Sequence, residues 1–253
     1  MQSIEETKYE IDTLSKLFEI IDQFCSSQRI DSTQTEMDRP KKWIFRGQGN
    51  YSDSLLPAIG RLVKIPGYTA EKILLAEQLS FSELKILSYN LLKDGNDFIK
   101  LAIAQHHGLK TRLLDWTFSP LVALFFAVEN ENYHNCDGGF YVYRPKSFVN
   151  IINLKFSPFE VKGEASKYQF LLPPPITERI NVQNGVFQWF KFPTDELTQL
   201  DGLIRFKIKS GFKSNLKADL FNMGISYKTL FPDLDGLAKH LNHIYFNENY
   251  FKP

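Results

Sequence analysis

The chain has 253 residues, and its 30 Lys and Arg nearly balance its 29 Asp and Glu. That balance excludes a global field for nucleic acid or for an anionic membrane, while leaving room for a local basic groove. The length is ample for a packed core, as one large domain or a domain with a helical N-terminal extension. Cys25 and Cys136 stand far apart without metal-ligand spacing. Two lone thiols fit a reducing cytoplasm better than a disulfide scaffold. The opening MQSIEETKYE lacks an apolar signal region, and no apolar run reaches membrane-spanning length. The expectation is a cytoplasmic protein with no membrane partner.

Residues 1–40 read as an N-terminal helix and a polar linker. Apolar positions such as Ile11, Leu14, Leu17 and Phe24 recur at helical spacing between Ile4 and Cys25, and a polar stretch follows to Pro40. Residues 41–253 read as the functional domain. Trp43 to Gln48 predicts a strand stopped by Gly47 and Gly49. A long helix is expected from Tyr68 to Leu92, starting near Thr69. A second runs from Phe98 to His107, with Gly108 as its positive-φ cap. Thr111 to Thr117 reads as extended. Ser119 and Pro120 start a helix that is apolar nearly all round and therefore buried.

Beyond that helix, Gly139 to Arg144 predicts a strand, and Ile151 to Leu154 a further one. Pro173 to Pro175 is a rigid extended segment. Arg179 to Phe192 reads as a hairpin turning at Asn184-Gly185. Leu203 to Ile208 is a half-exposed strand. Phe212 to Met223 and Tyr227 to Tyr245 close the chain as helices, the second interrupted by Pro232. These elements predict an α+β fold, a twisted mixed or split sheet flanked by helices.

The chemistry concentrates between Ala104 and Val128. Arg46 stands between an aromatic, Phe45, and Gly47, an arrangement suited to cradling an anion. His106 and His107 suit the negative end of a helix dipole, with His107 a candidate base. No residues have the spacing of a metal site. Arg112 and Asp115 form either a buried ion pair or part of a site. Asp115 lies among residues expected to be buried, so its carboxylate needs a partner. In an extended segment Arg112 falls on the opposite face, leaving Arg46 or His107 as the natural candidate. Thr117 and Ser119 serve as caps or ligand contacts, Trp116 as core or a stacking ring, and Gln183 as a polar residue in an apolar arm.

The ordered motifs resemble those of the FRG domain, a bacterial and phage-encoded family named for Phe-Arg-Gly. They run from Trp43-Ile44-Phe45-Arg46-Gly47-Gln48 through A-Q-H-H-G, T-R-L-L-D-W-T and S-P-x-x-A-L-F-F-A. Arg179-Ile180, Gln183, Gly185 and Phe187 follow, and then the segment Thr229 to Leu237. The order of parts also resembles the split sheet of mono-ADP-ribosyltransferases. That likeness implies NAD as substrate, held by Phe45, Arg46, Gly47, Arg112, Trp116, Thr117 and Ser119. It implies catalytic roles for Arg46, His107, Asp115 and Gln183, in an effector of phage defence or toxin action. Gln183 stands where transferases carry Glu; Asp115 then supplies the anion, with Glu178 and Glu164 as alternatives. Two other classes stay open: a non-enzymatic module binding a nucleotide or phage component, and a nuclease or nucleotide hydrolase using His107 with Asp115.

Overall fold

The computed structural model describes residues 5–25, 43–92, 94–160, 167–196 and 200–246. In chain order the first elements are β1 (Glu5–Ile11), α1 (Leu14–Cys25), β2 (Ile44–Gln48), α2 (Ala70–Leu87) and α3 (Asp97–His106). Then come β3 (Leu113–Thr117), α4 (Pro120–Val128), β4 (Gly138–Tyr143), β5 (Val149–Asn150) and β6 (Tyr168–Leu172). The chain closes with α5 (Glu178–Val182), β7 (Gly185–Phe190), β8 (Ile204–Ile208), α6 (Ser210–Asn222), α7 (Tyr227–Leu230) and α8 (Leu234–Tyr245). The helix starts follow local chemistry. Thr69, Asn96 and Ser119 each accept a hydrogen bond from a first-turn amide, and Pro120 takes the first position of α4. Gly108 ends α3 at φ +92°.

The fold is α+β, with one mixed eight-stranded sheet in the order β1-β8-β4-β2-β3-β7-β6-β5. The outer pairs β1–β8 and β5–β6 are parallel, and the other pairs are antiparallel. At the centre the ladder nearly breaks. β2 pairs with β4 over five positions, and β3 pairs with β7 over five. Between them β2 and β3 share only Phe45 with Thr117. The sheet is therefore two half-sheets meeting at a seam.

Helices cover one face. On the β1-β8-β4-β2 half, α1, α4 and α6 bury Leu17, Phe24, Phe125 and Leu216 against Phe45, Phe140 and Phe206. On the other half, α2 and α3 bury Phe81, Phe98 and Leu101 against Leu113, Phe187 and Trp189. The opposite face carries Ile44, Leu114, Trp116, Tyr141 and Phe170, with Leu55, Leu200 and Leu203 from connecting segments laid over them. Each fully buried side chain of this kind stabilises the fold by about 1.5–3 kcal/mol.

α4 lies directly on β2. A Cβ built on Gly47 would sit 1.7 Å from the Ala123 carbonyl oxygen and 2.7 Å from the Ala127 nitrogen. The glycine is thus required by backbone-on-backbone packing. Gly47→Ala should lower the unfolding free energy at the top of the overpacking range, about 3 kcal/mol. Thermal melting checks this: an unchanged midpoint would show that α4 can shift away freely.

Three sequence expectations are overturned. The helix read from Ile4 begins only at Leu14, because Glu5–Ile11 pairs with β8 at the sheet edge. Residues 5–25 thus share the sheet and core of the residues that follow; the expected linker lies outside the described residues. Ile151–Asn153 is a 3-10 turn, with the Ile152 amide donating to the Asn150 side chain. The hairpin at Asn184-Gly185 is a turn from helix to strand: α5 ends at Val182, and Asn184 takes a left-handed φ of 48° before β7.

Candidate functional site

β3 is buried at every position except one. Leu113, Leu114, Trp116 and Thr117 are covered, and Asp115 between them is exposed. Alternation puts Leu114 and Trp116 on the loop-covered face and Leu113, Asp115 and Thr117 on the helical face. The helical cover consists of two groups, and it parts over the seam. Asp115 sits under that parting, which is why a central strand exposes a carboxylate.

The gap forms a cavity of about 460 Å³, within the range of small-ligand sites. Its walls bring together Arg46, Gln48 and Arg61 from one side, Gln105, His106 and Lys110 from another, and Glu129, Arg179 and Gln183 from the far side. Phe126 and Tyr133 add aromatic rings.

Arg46 shares its strand face with Ile44, away from Phe45. Because β2 and β3 diverge, its guanidinium crosses the seam. Nη1 donates to the Asp115 main-chain carbonyl at 2.5 Å. A side chain thus fills the place of a missing ladder amide. Its Nε is buried and has no acceptor among the described residues. Burial, the dominant cause, pushes the Arg46 pKa down to about 10; Asp115 opposes this and Arg61 adds to it. The group remains a cation at neutral pH. Arg179 lies with its guanidinium 4.4 Å from the Phe231 ring centre. Burial lowers its pKa, against the pull of Asp115, Asp233 and Glu129. Both arginines thus feel the charge of Asp115.

The Asp115 carboxylate itself accepts from Gln105, with Nε2 to Oδ1 at 2.7 Å. Gln105 accepts in turn from the Thr111 hydroxyl. His106 lines the cavity, and its pKa is held below the usual imidazole range by burial, then by Arg179 and His107, with Asp233 opposing. It is neutral at physiological pH.

Residues 41–136 match the family profile described as the FRG domain. The chain carries an FRG domain. The match takes in β2 through α4 and stops at Cys136, so the Arg179–Phe187 and Thr229–Leu237 segments lie beyond it. Searches of curated proteins and of solved structures found no match.

Within the FRG domain the three residues of its Phe-Arg-Gly motif divide the labour. Phe45 is fully buried beneath α4, stacked on Phe140 at 5.8 Å. Arg46 points across the seam, and Gly47 admits α4. Other expected site residues are placed differently from the sequence reading. Arg112 is 1% exposed and cannot reach a ligand. It forms a buried pair with Glu77, with Nη2 to Oε2 at 2.7 Å and Nε to Oε2 at 3.0 Å. Its Nη1 donates to the carbonyls of Pro158 and Lys191. Glu77, in α2, was missed, because nothing within 35 residues of Arg112 marks it.

Trp116 faces the apolar cluster on the other side of the sheet, its Nε1 donating to Gln188 at 2.9 Å. Of the two roles read from the sequence, core or stacking ring, this is the core one. His107 is exposed, caps α3 and is absent from the cavity wall; His106 stands there in its place. Thr117 donates to the Gln183 carbonyl at 2.6 Å and accepts from the Ser119 amide at 2.9 Å. Ser119 accepts from the Val122 amide as helix cap. Gln183 lines the cavity, but its amide donates to the Leu230 carbonyl at 2.9 Å and ties α5 to α7. Glu178 is exposed and outside the cavity wall, and Glu164 lies outside the described residues. Asp115 itself corrects one premise: its neighbours are buried, but its carboxylate is not, and its partner is Gln105 rather than Arg46 or His107.

Proposed function

We propose that the cavity binds NAD and that the protein cleaves its nicotinamide–ribose bond, as an ADP-ribosyl-transferring or NAD-hydrolysing effector. One observation carries this reading: an exposed carboxylate at the seam of the sheet, in a cavity that two arginines also line. Arg46 and Arg179 would hold the diphosphate, since a guanidinium matches phosphate oxygens in a fixed fork. Phe126 and Tyr133 would pack against the rings.

In the reaction the C–N bond breaks and its electron pair leaves on nicotinamide, which departs neutral. The ribose carbon becomes oxocarbenium-like. Asp115, oriented by Gln105, would stabilise that positive charge. Water or an acceptor hydroxyl then adds to the carbon and gives up a proton. His106, kept neutral, is the base that the cavity offers. The resemblance to ADP-ribosyltransferases gave Gln183 the acidic position; its engaged amide favours Asp115 as the anion.

Incubation of the purified chain with NAD tests the reading, with released nicotinamide as the readout. The expected result is steady release, with a rise in melting temperature on adding NAD or ADP-ribose. A melting shift without release would overturn cleavage and leave a nucleotide-binding module. Neither shift nor release would overturn the reading altogether.

A further inference from the structure

On the open floor of the cavity the Asp115 side chain is exposed, and no cation bonds to its oxygens among the described residues. What holds it is a two-residue brace. Thr111 is fully buried. Its hydroxyl accepts from the Leu113 amide at 3.1 Å, which leaves its single proton free to donate. That proton goes to Gln105 Oε1. The Gln105 amide is therefore oriented: oxygen toward Thr111, NH2 toward Asp115 Oδ1.

The local sequence builds this contact. Gly108, at φ +92°, reverses the chain at the end of α3. The amides of Gly108 and Leu109 then bond the carbonyls of Gln105 and Ala104, each at 3.0 Å. The turn brings Thr111 back against Gln105 only six residues later.

We propose that Gln105 and Thr111 are positioning residues for Asp115: they pin one carboxylate oxygen and present the other to the reacting ribose carbon. This rests on the NAD-cleaving reading above. A carboxylate free to rotate would spend most of its time out of line with the developing charge.

Steady-state kinetics on the full chain tests the brace. Gln105→Met should lower kcat for nicotinamide release on the order of 10²-fold, the scale of a misplaced catalytic group. KM for NAD should stay within roughly twofold, because Gln105 does not hold the substrate. Thr111→Val should also lower kcat, and Thr111→Ser, which keeps the hydroxyl, should restore it. A raised KM at unchanged kcat, or a Thr111→Ser variant as poor as Thr111→Val, overturns the proposal.

If the wild-type chain releases no nicotinamide, the cleavage reading falls by itself. The brace is then read from the side-chain amide resonances of Gln105. Asp115→Asn and Thr111→Val should each move them in a 15N-labelled sample, and resonances unmoved by both would overturn the brace.

Discussion

Glu77→Ala is expected to lower the unfolding free energy by about 3–5 kcal/mol, the usual result of stripping one partner from a buried ion pair. Glu77 and Arg112 are 0% and 1% exposed. The Arg112 guanidinium uses Nε, Nη1 and Nη2 on Glu77 and on the Pro158 and Lys191 carbonyls, and lies 4.8 Å from the Phe159 ring centre. Glu77 also accepts from the Arg112 main-chain amide at 2.8 Å. Without the carboxylate, a cation would remain inside the core with no counter-charge. Burial already raises the Glu77 pKa, and Arg112 is what opposes it. For a chain of this size the melting midpoint should fall by roughly 6–20 °C. A double variant, Glu77→Ala with Arg112→Met, should recover part of the loss, since replacing a whole buried pair with apolar groups is often neutral. A single variant within about 1 kcal/mol of wild type would show that water reaches the pair.

The second large effect falls on activity. Asp115→Asn should lower nicotinamide release on the order of 10²–10³-fold, the scale lost with one preorganised charge-stabilising group. Stability should change little, within about 0.5 kcal/mol, because the side chain is exposed and Asn keeps its shape. The kinetics and a melting curve on the same sample decide the matter. Release at the wild-type rate would remove Asp115 from the chemistry. A large loss of stability would make it a structural residue.

Much of the fold could be read from the sequence because its signals are local. Ser119-Pro120 announces the start of α4, and Gly108 the end of α3, through backbone requirements that need no tertiary context. What could not be read depends on partners far along the chain. Glu77 looks like any polar residue of a long helix until β3 is laid beside α2. Glu5–Ile11 takes strand form by pairing with residues near 204, at the opposite end of the sequence. Asn184-Gly185 was a sound turn signal assigned to the wrong pair of elements, because α5 is only five residues long and carries little periodicity.

The candidate site divides in the same way. Arg46 and Asp115 stand out by residue type within apolar surroundings. Whether Asp115 is covered, however, is decided by where α3 and α4 part, which no local pattern encodes. Gln105 had a legible signal after all: an amide one turn before a helix-ending glycine, followed by Thr111 on the returning chain.

The single rung joining Phe45 to Thr117 has a consequence for how the molecule opens. On the helical face each half of the sheet has its own cover and its own apolar cluster, the makings of a separate cooperative unit. Little main-chain pairing couples the two; beyond that rung they are joined by the Arg46 bond to the Asp115 carbonyl and by the apolar cluster of the opposite face, where Tyr143 packs on Phe170. A ligand seated between the halves would act as the missing mortar, so its binding energy would register as cohesion between two foldons as well as occupancy of a site. Amide exchange would then slow across both halves together on ligand binding, not only beside the residues that touch it.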